Sequence, residues 1–384
     1  MDFTLDDELE AVRELAGRIF ADRAGTDRVR LVESTPTGID EELWAELGRT
    51  GLLGIALPEE AGGAGLGLGA LCVLLEEQGR AVAPVPLWPS AVAALALTRH
   101  GTAEQRESLL PGVADGSIRL TVALEEFGAA DPAGPGCVAG RDGGTWRLTG
   151  VKAAVPSPFG AAGVLVSAMA ETGPGLFLVV SDDIGAEGVA WDRVETTDHD
   201  RGGNLTLTGA PATAVGVPGG DALRWTLHRA AVALAAVQLG VVQGALRHAV
   251  THLSARRQFG RPLATFQAVQ HQLADCYIDI DAMRVCLWQA VAALGADIPE
   301  NTDIPENTEE GAEAAVLVAK WWAGEAGLTV AHRVQHVHGG IGVDVEYPVH
   351  RHFLWARQIS GTLGGPSADL ARLGAVLASG TAEP

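Results

Sequence analysis

The period at which apolar residues recur changes twice along this chain, and that double change limits the fold more than any single motif. Near the start, Leu5, Leu9, Val12, Leu15 and Ile19 repeat at helical spacing, which puts one apolar stripe on an amphipathic helix. Thr4, with Asp7 three residues on, predicts a capping-box start. Helical pattern follows over 41–51 and from Gly69 to about Arg80, with a glycine-rich loop, PEEAGGAGLGLG, at 58–69. That loop contains no GxGxxG between a strand and a helix, so no dinucleotide fingerprint is expected. Helical texture continues to about residue 118. Short β-prone runs at 120–124, 146–148, 164–167, 176–180 and 205–207 then alternate with Gly, Pro and Asp, the pattern of an antiparallel β domain. From about Ala222 long helical segments return, as in a helical bundle. The spacing therefore predicts an α+β chain in three parts: an N-terminal helical domain over 1–118, a middle β domain over 119–217 and a C-terminal helical bundle over 218–384.

Charge narrows the partners. A formal net charge of −21 repels phosphate backbones and anionic lipid, so neither nucleic acid nor a membrane surface is an expected partner. The longest apolar run, Ala230 to Leu246, is interrupted by Gln238 and Gln243 and reads as a buried bundle helix rather than a membrane span. The acidic, helix-periodic N-terminus has no basic start followed by an apolar core; no signal peptide is expected and the predicted location is cytoplasmic. Cys72, Cys137, Cys276 and Cys286 form no CxxC pair, and reduced, buried thiols are the expectation. His332, His336, His338, His350 and His352 lie close together, but without the carboxylate or cysteine spacing of a metal site, so no metal is expected. Trp321, Trp322 and Trp355 read as core or interface aromatics. The hexapeptide DIPENT occurs in tandem at 297–302 and 303–308, which reads as a tolerated loop insertion.

Two segments carry the chemistry. The first is Arg256-Arg257-Gln258-Phe259-Gly260-Arg261-Pro262-Leu263 with Phe266-Gln267, at a junction between long helices. Guanidinium forks backed by amides suit a diphosphate; a solvated basic corner is the alternative reading of the same residues. The second is Gln335-His336-Val337-His338-Gly339-Gly340-Ile341-Gly342, ending a helix. Its glycines admit close backbone approach to a ligand, or simply cap the helix.

Together these segments resemble the acyl-CoA dehydrogenase family. RRQFGRPLATFQ matches the family's Arg-x-Gln-Phe-Gly…Phe-Gln pattern, HGGIGVDVEYPVHRHFLWAR matches its Gly-Gly-x-Gly…Glu-Tyr-Pro…Arg segment, and Trp44 through PEEAGG resembles its N-terminal entry. The resemblance implies FAD held across a subunit interface: one subunit's β domain holds the flavin ring, while the neighbour's bundle grips the diphosphate and adenine. It places Arg256, Gln258, Phe259, Gln267, His336, Gly339 and Gly340 at the diphosphate and adenine contacts, with His336 standing for the usual Gln. The flavin side departs from the family. Glu125-Glu126-Phe127-Gly128-Ala129-Ala130-Asp131 replaces Thr-Glu-Pro-x-x-Gly-Ser-Asp, and Lys152-Ala153-Ala154-Val155-Pro156 replaces Lys-x-Trp-Ile-Thr.

The family also needs a carboxylate that takes the α-proton of an acyl thioester. Counting from the final arginine motif puts Leu363 at one family base position, and counting back from Arg256 puts Ala230 at the other. Neither residue ionises, so no catalytic residue is expected in this chain; Asp369 and Glu346 are nearby carboxylates in no known register. The residues kept and lost resemble the non-catalytic subunit of heteromeric actinobacterial dehydrogenases that act on steroid side-chain thioesters. That implies a catalytic partner subunit, an acyl-CoA substrate reached mainly through that partner, and an electron-transfer flavoprotein as onward acceptor. A self-sufficient homo-oligomer with an unrecognised base, and a redox-silent scaffold or acyl-binding protein, are the alternatives.

Overall fold

The computed structural model describes residues 4–128, 131–180, 187–295 and 309–380. The DIPENT duplication, Ala129 and Ala130 lie outside them. The chain runs helical, then β, then helical. The first helices are α1 (Asp7–Arg23), α2 (Thr26–Glu33), α3 (Glu41–Arg49), α4 (Gly67–Ala81), α5 (Leu87–His100) and α6 (Ala103–Asp115). Strands β1 (Leu120–Ala123), β2 (Val138–Asp142), β3 (Thr145–Val155), β4 (Gly163–Ala170), β5 (Gly173–Val180), β6 (Val189–Glu195) and β7 (Arg201–Val215) follow. The chain continues through α7 (Ala222–Ala255), a hairpin of β8 (Arg257–Gln258) and β9 (Arg261–Pro262), α8 (Gln267–Ala293), α9 (Glu309–His338), α10 (Val349–Gly361) and α11 (Gly365–Gly380). Two compact units divide this order: residues 31–71 with 84–230, and residues 1–30 with 72–83 and 231–384.

The first of these units is built on the sheet. Pairing runs β4–β5–β7–β3–β2 and returns from β2 to β4 through Val138 and Met169, closing the strands into a barrel, with β1 added on β4 and β6 on β7. The sequence predicts an antiparallel sheet, but β1 and β2 both run parallel to β4. Each reaches β4 through intervening chain rather than a tight turn, and only such crossovers deliver parallel neighbours. Strands β2 and β6 fall outside the predicted runs because most of their residues are exposed or only half-buried, leaving little apolar signal to read. Inside lie Phe177, Leu148, Leu205, Leu207 and Val166, with Trp146 edge-on to Phe177 at 5.1 Å.

The second unit is a helical bundle. Its first helix starts at Asp7, capped by Asp6, whose side chain accepts from the Leu9 amide at 2.9 Å. The predicted cap, Thr4, sits too early, because an N-cap must directly precede the first helical residue. By length and composition α7 could cross a membrane, yet 83% of its most apolar window is buried inside the protein. The glutamines that interrupt it tie it to its neighbours. Gln238 donates to the carbonyls of Ala323 at 3.1 Å and Ala356 at 3.2 Å, and Gln243 accepts from Arg80 at 2.5 Å.

Glycines let α4 and α7 cross almost backbone to backbone. A Cβ on Gly240 would lie 1.9 Å from the Glu76 carbonyl oxygen, one on Gly79 2.1 Å from that of Val237, and one on Gly244 2.4 Å from that of Arg80. Backbone atoms at that distance cannot yield without moving a helix. Gly240→Ala is expected to destabilise the bundle by about 1–3 kcal/mol or more, the cost of forcing extra volume into a packed crossing. Urea unfolding would show this as a lowered midpoint; an unchanged midpoint would mean that the helices do not approach this closely.

Candidate functional site

Helix α7 hands its register to the first candidate segment. The Arg256 amide donates to the His252 carbonyl at 2.8 Å, and the Arg256 carbonyl accepts from Leu263 at 2.9 Å, so Arg256 sits at the closed base of the β8–β9 hairpin. The turn is Phe259-Gly260, with φ of 51° and 80°; positive φ at both central positions is the two-residue hairpin geometry that matches strand twist. Glycine adopts it freely, whereas a bulky residue there is strained. Phe259 is also 88% exposed. The exposed phenyl ring meets Phe266 edge-on at 6.0 Å. Arg256, Gln258 and Gln267 are exposed as well, and Arg261 lies over the Phe266 ring at 4.0 Å.

The second segment ends α9. His336 is exposed in its last turn, while His338 is buried and donates from Nδ1 to the Val334 carbonyl at 2.7 Å. Gly339 follows at φ 63°, and the space where a Cβ would stand on Gly339 or Gly340 is open. Both glycines are exposed, leaving room for a ligand to approach the backbone. The His252 and His338 rings stack at 5.0 Å, which brings this turn and the Arg256 segment to the same end of the bundle. Other histidines here pack against rings. His248 meets His352 edge-on at 5.1 Å, and His332 meets Phe353 at 4.9 Å. Burial, then the neighbouring Arg247, lowers the His248 pKa to about 4; burial, then His248, lowers that of His352 to about 3.

The segments matched to the family's flavin edge lie in the sheet unit, and their donors are committed internally. Lys152 is fully buried, with Nζ 2.5 Å from Glu126 Oε1 and 2.8 Å from Ser167 Oγ. Glu126 also accepts from the amides of Gly136 at 2.7 Å and Cys137 at 3.0 Å. Burial opposes charge on both partners and lowers the Lys152 pKa, while these bonds hold the Glu126 carboxyl below the usual range. The Ala153 amide donates to the Glu125 carbonyl at 2.9 Å, that of Ala154 to Asn204 at 3.0 Å, and that of Ser157 to Asp200 at 2.9 Å. Pro156 has no amide hydrogen. Sequence reasoning missed this network, because Lys152 lies outside the predicted β-prone runs and its partners are distant in sequence.

Neither family base position offers a carboxylate. Ala230 is fully buried, and Leu363 is 4% exposed in a left-handed conformation, φ 61° and ψ 32°. Arg372 holds that kink by donating to the Leu363 carbonyl at 2.8 Å while pairing with Asp369 at 2.5 Å; Lys320 reaches Asp369 at 3.5 Å. Asp369 is thus a fully buried acid enclosed by Lys320 and Arg372. Glu346 is exposed, 3.5 Å from Arg30. Other buried or half-buried carboxylates among the described residues include Asp40, which caps α3, Glu77, paired with Arg80 at 3.2 Å, and Asp200, bonded to Ser157, whose pKa burial and then Asp198 raise to about 6. The thiols are no substitute: Cys72, Cys137 and Cys276 are buried, and burial raises the pKa of each.

Residues 6–117 match the family model for the acyl-CoA dehydrogenase N-terminal domain and residues 218–373 that for its C-terminal domain. The chain belongs to the acyl-CoA dehydrogenase family. It is 37% identical to acyl-CoA dehydrogenase FadE27 of Mycobacterium tuberculosis, covering 98% of this chain and 99% of that one. A solved variant of the Tcur3481-Tcur3483 steroid ACAD superposes with TM-score 0.92 at 63% identity, covering 99% of this chain and all of that one. The ChsE4-ChsE5 complex from M. tuberculosis superposes with TM-score 0.90 at 35% identity, each chain fully covered. These relatives bear out the resemblance to heteromeric steroid acyl-CoA dehydrogenases. Acyl-CoA dehydrogenases use FAD. The exposed guanidinium, amides and open glycine backbone at the end of the bundle fit its diphosphate and adenine end, whereas the internally satisfied Lys152–Pro156 strand offers little to a flavin ring.

Asp369→Ala would remove the fully buried carboxylate that both Lys320 and Arg372 approach near Leu363. The expected loss is about 3–5 kcal/mol, measured by urea unfolding; a loss under about 1 kcal/mol would show that the pair is not buried as described. His248 and His352 stay neutral when folded but protonate when unfolded, at about pH 6.5. Their contribution is complete above that pH and shrinks as pH falls toward about 4. His248→Phe should flatten the stability profile across that window; an identical slope in wild type and variant would refute the assignment.

Proposed function

We propose that this chain is the base-less subunit of a heteromeric acyl-CoA dehydrogenase that desaturates an acyl-CoA thioester between its α and β carbons. The observation that carries this reading is a contrast within the bundle unit: donors suited to a diphosphate stand exposed at the β8–β9 hairpin, while buried Leu363 occupies the family's base position. Arg256, Gln258 and Gln267 would hold the FAD diphosphate, with Phe259, His336 and the open backbone of Gly339 and Gly340 against the adenine side. When bound, FAD accepts hydride from the β-carbon. The α-proton goes to a carboxylate of the catalytic partner, since this chain places none at Ala230 or Leu363. Support for a partner comes from the two-component names of similar solved structures, Tcur3481-Tcur3483 and ChsE4-ChsE5. The first is a steroid dehydrogenase, which makes a steroid side-chain thioester the favoured substrate class. An electron-transfer flavoprotein is the proposed acceptor.

The test is to purify the chain alone and co-expressed with candidate acyl-CoA dehydrogenase partners, recording FAD absorbance per chain and acyl-CoA dehydrogenation. Flavin and turnover are expected only in the mixed complex. Arg256→Ala in this chain should lower flavin occupancy there, since a charged hydrogen bond contributes about 1.5–3 kcal/mol. Full occupancy and turnover from the chain alone would overturn the reading in favour of a self-sufficient enzyme. No flavin in either preparation would point to a redox-silent scaffold.

A further inference from the structure

Three rings join the two halves of the candidate donor set. His252 and His338 lie face to face at 5.0 Å with planes 23° apart, and Tyr347 closes on both, 6.1 Å from His252 and 5.5 Å from His338. Each histidine is tied directly to one half. The His252 carbonyl takes the Arg256 amide at 2.8 Å, so the stacking residue also holds the final turn before the hairpin. His338 directly precedes Gly339, and its bond to the Val334 carbonyl at 2.7 Å orients the ring within the last turn of α9. Gln335 from that same turn donates to the Gly342 carbonyl at 2.5 Å, tying the glycine turn back to α9.

We propose that His252, His338 and Tyr347 form a positioning joint that keeps Arg256 in register with Gly339 and Gly340, so that both segments present one surface to a nucleotide diphosphate. Three features favour a joint over ordinary core packing. It lies in the last turn of two helices, where both candidate segments leave helical geometry. Its members come from α7, α9 and the chain just before α10, so no one helix can set their spacing. The His338 ring is held by a polar edge as well as a face, which fixes its orientation where an aliphatic side chain would leave it free. Arg256 and Gln267 are exposed, and long exposed side chains converge on a ligand only if their backbones are held in place. None of the three rings needs to touch the ligand.

This inference rests on the reading of the Arg256 and Gly339–Gly340 segments as the FAD diphosphate and adenine wall, and the experiment separates the two. In the co-expressed complex, stripped of flavin, FAD affinity is measured by fluorescence titration and acyl-CoA KM at saturating FAD. His252→Ala and His338→Ala should each weaken FAD by about tenfold, a change of about 1.4 kcal/mol, while KM for acyl-CoA stays unchanged. His252→Phe, which keeps a flat ring against His338, should recover most of the affinity lost in His252→Ala. A purely structural role would lower the melting temperature of the complex without altering the FAD affinity of the folded fraction, and that result would overturn the joint. If the alanine variants fail to assemble, Tyr347→Leu at the edge of the stack supplies the same comparison. Arg256→Ala is the control. Weakened FAD there with wild-type affinity in the ring variants would sink the joint alone; unchanged affinity in Arg256→Ala would sink the FAD-wall reading itself.

Discussion

The close crossing of α4 and α7 sets the register on which the bundle depends. Gly240 and Gly244 leave no room for a side chain against the backbone of Glu76 and Arg80, so α7 can neither slide nor rotate there without a clash. Four residues further along the same ridge comes His248, then His252, then Arg256 just beyond the helix end. Residues four apart form one inclined row on a helix, and the members of this row meet ring neighbours one after another. Gly244 accepts the close approach of His352, His248 meets the His352 ring and His252 the His338 ring. Position is thereby transmitted from a steric contact in the middle of α7 to a guanidinium at its end.

Buried charge performs a different task in each unit. Lys152 and Glu126 in the sheet unit, and Lys320 with Asp369 in the bundle, are ion pairs with fully buried lysines. Such pairs add little net stability over an apolar replacement, but they are costly to break on one side. The first engages Glu126 and Lys152 in the motifs matched to the flavin edge. The second buttresses the left-handed kink at Leu363 through Arg372. In both places polar groups are committed to internal partners, which stabilises one conformation and removes those groups from chemistry on a substrate.

The family and the order of its elements were legible in the sequence because period and motif are local properties. Helical spacing in α1 and α7, β texture between residues 120 and 215, and the QFG and HGGIG segments needed no knowledge of what they pack against. Parallel pairing of β1 and β2 with β4 was not legible, since register between distant strands depends on crossovers and closure. The cap at Asp6 rather than Thr4 was missed because both residues can cap, and only the backbone shows which one precedes the first helical residue. Gln238 and Gln243 were read as interruptions of an apolar run; the structure makes them its ties to Ala323, Ala356 and Arg80.

For the candidate site the division is sharper. The sequence by itself determined which side chains are present: Arg256, Gln258 and Gln267 as donors, and no carboxylate at Leu363 or Ala230. Side-chain chemistry is a property of residue type, so missing acidity needs no coordinates to establish. Only the tertiary structure decided that Asp369 is enclosed by Lys320 and Arg372, that Phe259 stands exposed on a strained turn, and that His252 stacks on His338. The physical reason is that these are relations between residues distant in sequence or between backbone and solvent, and packing alone sets their distances.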